Sequence, residues 1–124
     1  MELTAKRFAD TVALFPAGRI DHATADSFKA ALAPHLAGVA PGGDRAVIDL
    51  AGVEYISSVG LRVLMLASKQ VKAQGGALAV AGLQPVVREI FEISRFNLVL
   101  EVFPTLREAL AKLSPAGLAA FESP

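Results

Sequence analysis

The sequence of 124 residues contains no cysteine. This absence excludes disulfide bonds, thiolate metal sites and a cysteine nucleophile, and it agrees with a protein that works in a reducing compartment. An excess of charge is also missing, because 12 basic residues balance 12 acidic ones. Without a basic excess, electrostatic attraction to nucleic acid or to an anionic membrane has little basis. We therefore expect no direct nucleic-acid or membrane partner.

Long apolar runs are absent, although 53% of the residues are hydrophobic. The longest stretches without a charged residue, 30–43 and 73–87, both contain proline and glycine. Both are shorter than the roughly 18 apolar residues that a membrane-spanning helix needs. The N-terminus has neither the basic start nor the apolar run of a signal peptide. These patterns predict a cytoplasmic protein, and the length fits one domain.

Motifs for catalysis or cofactor binding are missing as well. His22 and His35 are the two histidines, and we find no metal-ligand set around either of them. The Gly-x-Ser-x-Gly elbow of hydrolases, the Walker A loop and the dinucleotide glycine fingerprint do not occur. We therefore expect no enzyme activity, no metal and no cofactor.

The pattern that is present alternates short apolar strands with amphipathic helices. Strands are predicted over residues 2–8, 11–15, 46–50, 77–81 and 98–103, and helices over 23–36, 58–74, 85–94 and 105–113. Such alternation predicts right-handed crossovers and a partly parallel sheet. A hairpin at Ala9-Asp10 joins the first two strands and makes the sheet mixed.

Two segments of this pattern contain helix-breaking residues. Pro34 lies inside the first predicted helix and predicts a kink there or a break near Ala33. Residues 114–124 contain proline and glycine. They are predicted to form a loosely held tail, unless Leu118 and Phe121 dock onto the domain.

The turn before the second helix is the most informative segment of the chain. Ser57 and Ser58 stand where this helix begins. A helix N-terminus has four free N–H groups and a partial positive charge of about half a unit, and either serine is suited to cap it. A phosphate added there would bring roughly two negative charges, which the free N–H groups would stabilise. The segment is therefore predicted to be a structural cap, a phosphorylation switch, or both.

Asp21 is the second residue of interest. It lies between a strand end and the start of the first helix, in a loop expected at the same sheet edge as the serine turn. The local pattern is equally typical of a helix cap formed by Asp21 or by Thr24.

Three groups of residues between residues 18 and 110 form an ordered pattern, and the likeness that they carry covers nearly the whole chain, from residue 3 to residue 113. They are Gly18-x-Ile20-Asp21 with Thr24-Ala25; Asp49-Leu50-x-x-Val53-x-Tyr55-Ile56-x-Ser58-x-Gly60-Leu61; and Val80-x-Gly82-Leu83-x-Pro85-x-Val87 with Phe91 and Phe103-x-Thr105-x-x-Glu108-Ala109-Leu110. In this order they resemble STAS domains, in particular the bacterial anti-sigma factor antagonists. The resemblance implies an α/β fold with a single STAS-like domain over residues 1–113, followed by a tail over 114–124. It implies a mixed four- to five-stranded sheet packed with about four helices.

The resemblance also implies partner switching. In such systems the unmodified antagonist binds an anti-sigma factor that is also a serine kinase of the histidine-kinase-like ATPase type. The bound kinase releases its other client. It then phosphorylates the antagonist, the complex dissociates, and a serine phosphatase resets the antagonist.

By position in the motif, Ser58 matches the phosphoacceptor and Asp21 matches the acidic residue near it. The implied partner-binding residues are Asp21, His22, Ser57, Ser58, Val59, Gly60, Leu61 and Arg62. The chain departs from the family pattern at two positions, because Ser57 replaces a frequent aspartate and Val59 replaces a frequent serine or threonine. Ser57 is therefore an alternative acceptor. Loss of phosphorylation with retention of the binding surface is another alternative.

Two other functions stay open at this point. A constitutive scaffold, such as the cytoplasmic STAS subunit of a lipid-transport ABC complex, would keep the fold without the switch. A small enzyme or nucleotide binder would need the loops after residues 17, 50 and 81 to form a ligand pocket.

Overall fold

The computed structural model describes residues 1–123 of the chain. These residues form strands β1 (Leu3–Phe8), β2 (Thr11–Pro16), β3 (Gly18–Ile20), β4 (Arg45–Asp49), β5 (Val53–Ile56), β6 (Leu78–Ala81) and β7 (Glu101–Phe103), and helices α1 (Ala25–Leu36), α2 (Ser58–Ala73), α3 (Pro85–Ile93), α4 (Leu106–Leu113) and α5 (Pro115–Glu122). The predicted α/β class is confirmed. Among these residues no helix has the length and apolar character that crossing a membrane requires.

Five of the strands form one mixed sheet in the order β1-β2-β4-β6-β7. β1 pairs with β2 antiparallel, and every other neighbouring pair is parallel. The chain passes from one parallel strand to the next through α1, α2 and α3 in turn. The predicted hairpin is present, and Ala9 in its turn has a φ of 56°, in the left-handed region that glycine favours. The predicted mixed four- to five-stranded sheet is therefore confirmed.

The central strands supply a hydrophobic core on each face of the sheet. Leu14 and Ile48 face the core that α1, α2 and α3 complete. Ala13 and Val47 belong to the opposite core, which α4 and α5 cover. Successive side chains of a strand point to opposite faces, so a strand buried on both faces reads as an unbroken apolar run. This explains why the short β4 carried a clear sequence signal.

A second sheet, formed by β3 and β5, is absent from the sequence prediction. The two strands have three and four residues, which is too short for a visible alternation of apolar and polar positions. They pair in parallel with Ile20 opposite Ile56, and both side chains are buried. The predicted strand 98–103 is also too long, since Phe96–Leu98 is a 3-10 turn and only Glu101–Phe103 is extended.

Pro34 does not interrupt α1. The helix continues through it to Leu36, so the predicted break near Ala33 is wrong, and the kink predicted as its alternative stays a prediction. Pro34 is exposed and lies in the last turn of the helix. At that position the missing N–H removes a single backbone hydrogen bond, and few helical residues follow that a bend would displace.

The loosely held tail is also wrong for residues 115–122, because they form α5. Pro115 occupies the first turn of this helix, where proline needs no hydrogen-bond partner. Phe121 docks on Phe8 with 5.4 Å between the ring centroids, as the docking alternative expected. Among residues 1–123 there are five helices: the four predicted for the domain lie within residues 1–113, and α5 is additional. The domain boundary at residue 113 stays a prediction.

Candidate functional site

The serine turn connects β5 to α2, and Ser57 caps the helix. Ser57 has an extended backbone, with φ −89° and ψ 174°, and its hydroxyl oxygen accepts a hydrogen bond from the N–H of Gly60 at 3.3 Å. Its carbonyl accepts the first helical bond, from the N–H of Leu61 at 2.9 Å. A cap of this kind stabilises a helix by about 1 kcal/mol. Of the two serines suited to cap α2, Ser57 is therefore the cap, and a capping role for unmodified Ser58 is wrong.

Ser58 is the first residue with helical conformation, and its side chain is exposed. Within residues 1–123, the hydroxyl oxygen of Ser57 accepts the capping hydrogen bond. The hydroxyl of Ser58 takes no part in it. Ser57 is only half-exposed. The hydroxyl of Ser57 is therefore engaged in a hydrogen bond with the backbone. The hydroxyl of Ser58 is exposed and is accessible to an enzyme that transfers a group to it.

Several motif residues hold the serine turn in place through close packing, burial or a hydrogen bond. A Cβ on Gly60 would lie 2.7 Å from both Ile20 Cγ2 and Ile56 Cγ1, so only glycine lets α2 start against the β3–β5 pair. Leu61 is also buried. Asp49 accepts a hydrogen bond from the N–H of Ala51 at 2.9 Å and closes the turn before β5. Gly60 and Leu61 thus support the turn from its buried side. Their part in partner binding stays a prediction.

The loop that contains Asp21 starts from the same end of the β3–β5 pair. Ile20, which precedes Asp21, accepts a hydrogen bond from the N–H of Ser57 at 2.8 Å. The backbone therefore brings the Asp21 loop and the serine turn side by side, as expected. Asp21 does not cap α1. Its carboxylate accepts from the N–H of Ala23 at 3.0 Å, one turn ahead of the helix.

Hydrogen bonds favour the charged form of the Asp21 carboxyl. The N–H of Ala23, with smaller contributions from Thr24, holds the pKa of the Asp21 carboxyl below its ordinary value. Thr24 occupies the N-cap position of α1, but its side chain makes no capping bond there and instead donates to the carbonyl of Arg19 at 2.8 Å. His22, which directly follows Asp21, is exposed. The loop thus presents a negative charge near the serine turn.

Two residues beside the Asp21 loop have contacts that the sequence did not predict, although Tyr55 belongs to the motif. Arg19 on β3 and Tyr55 on β5 are register partners, and the guanidinium lies 4.4 Å from the centre of the ring. Arg19 Nε is also 3.8 Å from a carboxylate oxygen of Asp21. Tyr55 is the sole tyrosine of the chain, but its cationic neighbour is visible only once the pairing of β3 with β5 is known.

A shallow depression of about 400 Å³ lies beside Ser58. Its lining residues are Ser58, Val59, Leu61, Arg62, Met65 and Phe96. Val59 has 44% of its surface exposed, although it is a large apolar residue. Arg62 is the cation of this otherwise mostly apolar lining. We call the half-exposed Asp21 and the exposed residues His22, Ser58, Val59 and Arg62 the serine-turn surface.

Ligand sites of other kinds have less support. Among residues 1–123, no three His, Asp or Glu side chains gather as a possible metal site. Ala17 and the loop after residue 50 line an open depression of about 490 Å³, but residues 18–20 form β3, and neither they nor the loop after residue 81 contribute to it. The three loops that an enzyme or nucleotide binder would need therefore do not share that pocket.

Solved structures share this fold. A crystal structure of a candidate anti-sigma factor antagonist from Thermotoga maritima matches with a TM-score of 0.80 and 22% identity, over 90% of this chain and 93% of that chain. SpoIIAA of Bacillus matches in its unphosphorylated form with a TM-score of 0.69 and 17% identity, over 90% of this chain and 95% of SpoIIAA. The phosphorylated form of SpoIIAA matches with 0.64 and 16%, over 90% and 98%. At these identities the likeness establishes the fold alone.

Sequence comparison carries the assignment further. BtrV of Bordetella bronchiseptica, whose name describes it as a candidate anti-sigma factor antagonist, is 41% identical over 113 residues, which is 90% of this chain and 92% of BtrV. The family model of the STAS domain matches residues 2–109, from before β1 into α4. With its serine turn, its mixed sheet and this match over most of its length, the chain belongs to the STAS domain family.

Proposed function

We propose that this chain is an anti-sigma factor antagonist that acts by partner switching, with Ser58 as its phosphoacceptor. The unphosphorylated chain binds an anti-sigma factor that is also a serine kinase, and phosphorylation releases it. The observation that carries this proposal is the exposed hydroxyl of Ser58 at the start of α2, next to a Ser57 hydroxyl that is occupied by capping.

The relatives support this proposal over a constitutive scaffold. BtrV is similar across nearly its whole length, and its name assigns it to the antagonists. SpoIIAA, an antagonist with the same fold, has been solved in phosphorylated and unphosphorylated forms. Phosphorylation is therefore compatible with this architecture.

Charge at the interface provides the mechanism of release. A phosphate on Ser58 adds roughly two negative charges to a surface that already carries the Asp21 carboxylate. Opposite a partner carboxylate or an apolar patch, such a group costs several kcal/mol of binding, and each 1.4 kcal/mol is about tenfold in affinity. Because Ser57 replaces the family's frequent aspartate, the unmodified turn has less negative charge of its own. The change in charge on phosphorylation is then proportionally larger.

The partners follow from this cycle. The kinase is of the histidine-kinase-like ATPase type, and a serine phosphatase removes the phosphate from Ser58. The chain itself contributes a hydroxyl and a binding surface but no catalytic group and no cofactor. Since both enzymes act on it where sigma factors are controlled, we place it in the cytoplasm.

Incubation with its cognate kinase and ATP tests the proposal. We expect mass spectrometry to find one phosphate, on Ser58, and the kinase complex to dissociate. Ser58→Ala should take up no phosphate and stay bound. Ser58→Asp should bind at least about tenfold more weakly, since the added charge opposes the interface.

Two matched serine variants sharpen the result. Ser57→Ala should still be phosphorylated on Ser58, and Ser123→Ala, at the exposed C-terminal cap of α5, should behave as the wild type. A kinase that binds the chain but leaves Ser58 unmodified, or that modifies Ser57 instead, would refute Ser58 as the switch.

A further inference from the structure

Arg62 lies four residues after Ser58 on α2, and both residues line the same depression. Side chains at this spacing are neighbours on a helix surface, and an anion placed N-terminal to a cation is the favourable order. Helical side chains also lean toward the N-terminus, so Arg62 extends over the turn that begins with Ser58. An anion attached to Ser58 would therefore be within reach of this guanidinium.

Arg62 has no carboxylate partner within residues 1–123. The ion pairs of this part of the chain join Arg7 to Asp44, Arg19 to Asp21, Arg45 to Asp10 and Arg107 to Glu122. The first turn of α2 contains no acidic residue, and the side chain of Arg62 is exposed. Its guanidinium is thus available for a new anion.

Arg19 and Lys69 are less suited to this role. Arg19 stacks on Tyr55 and lies near Asp21, so its guanidinium already has two partners. Lys69, further along α2, is 11 residues from Ser58, which is about 16 Å along a helix. That separation exceeds the Debye length of about 8 Å at physiological ionic strength.

We propose that Arg62 is the intramolecular partner of phosphorylated Ser58. Its planar fork of N–H donors binds the phosphate oxygens and holds the phosphate against the first turn of α2. Arg62 is a positioning residue in this role. Phosphorylation then changes the serine-turn surface twice, because it adds an anion at residue 58 and withdraws the cation of Arg62 from the partner. This inference rests on the proposed phosphorylation of Ser58.

Phosphorus NMR of the chain with phosphoserine incorporated at position 58 during translation tests the pairing. We expect the second pKa of the phosphate to lie below its ordinary value of about 6, because the guanidinium favours the dianion. Arg62→Gln should raise this pKa by about half a unit to one unit. Arg62→Lys should retain most of the lowering, since the positive charge stays on the same face of the helix.

Lys69→Gln is the matched control. It removes one positive charge from the exposed side of the same helix, and the phosphate pKa should stay at the wild-type value. Equal pKa values in the wild type and Arg62→Gln would overturn the proposal, as would an equal shift in Lys69→Gln. Because no kinase is involved, failure here leaves the kinase assay untouched. Failure of the kinase to modify Ser58 would in turn refute the proposed function without affecting the NMR result.

Discussion

At the scale of single residues, the two neighbouring serines of the turn differ in their contacts. Ser57 accepts the capping hydrogen bond from Gly60, so Ser57→Ala should lower the free energy of unfolding by about 1 kcal/mol. Ser58 is exposed and does not cap, so Ser58→Ala should change this free energy by less than about 0.5 kcal/mol. Urea denaturation followed by circular dichroism measures both values. Equal losses in the two variants would contradict the assignment of the cap to Ser57.

The place of Ser58 at a helix start is predictable from the sequence. Which of the two serines caps the helix is not. The end of an apolar strand and the helical spacing of Leu61 and Leu64 mark the same boundary in the sequence. The cap, however, depends on the extended backbone of Ser57, which local sequence does not determine. The contact of Arg19 with Tyr55 could not be predicted from the sequence either, because it requires the tertiary pairing of β3 with β5.

At the scale of elements, α5 shows why helix-breaking residues mislead. Pro115 and Gly117 favour a loop when they are read as breakers, but proline also suits a first helical turn. A Cβ on Gly117 would lie 3.1 Å from Thr11 Oγ1 and 3.2 Å from the carbonyl oxygen of Phe8. Glycine at this position therefore permits close packing rather than a turn. The longer α2 was predictable because its apolar stripe extends over several turns.

Docking of α5 predicts a measurable contribution to stability. Phe121 packs on Phe8, and the guanidinium of Arg107 lies 5.5 Å from the centre of the Phe121 ring. We expect Phe121→Ala to lower the free energy of unfolding by about 1–3 kcal/mol, less than for a fully buried phenylalanine because this ring is half-exposed. Thermal and urea denaturation measure the change.

The matched control for this element is the neighbouring Glu122. Glu122→Gln removes an exposed ion pair with Arg107, and such pairs contribute at most about 1 kcal/mol. Since α5 covers the sheet face opposite to α2, Phe121→Ala should leave the proposed phosphorylation of Ser58 unchanged. A Phe121→Ala protein as stable as the wild type would mean that α5 does not dock in solution.

At the scale of the whole molecule, one carboxylate connects segments that are distant in sequence. Asp10, in the hairpin turn, accepts hydrogen bonds from the hydroxyl of Ser114, from Arg45 and from Thr11. Ser114 is buried, and its hydroxyl oxygen also caps α5 by accepting from the N–H of Gly117 at 2.9 Å. The hairpin, the start of β4 and the start of α5 therefore meet at a single charged group.

These hydrogen bonds make the stability of the fold sensitive to acid. The hydroxyl of Ser114 lowers the pKa of Asp10, and Arg7 lowers the pKa of Asp44. A carboxyl whose pKa is lower in the folded state than its unfolded value of about 3.9 contributes stability that is fully present above that value. The contribution is lost as the pH falls through the folded pKa, because the unfolded chain then binds more protons than the folded one.

We therefore expect the urea midpoint to stay nearly constant from about pH 7 to about pH 5 and to fall below about pH 4. Asp10→Asn should be less stable than the wild type at neutral pH and should lose less of its stability on acidification. Glu2→Gln, which removes an exposed carboxylate at the start of the chain, should follow the wild-type profile. A wild-type midpoint that is constant down to about pH 3, or an Asp10→Asn profile parallel to it, would show that the Asp10 contacts do not stabilise the fold. The outcome decides whether the C-terminal helix is tied to the domain by charge as well as by the packing of Phe121.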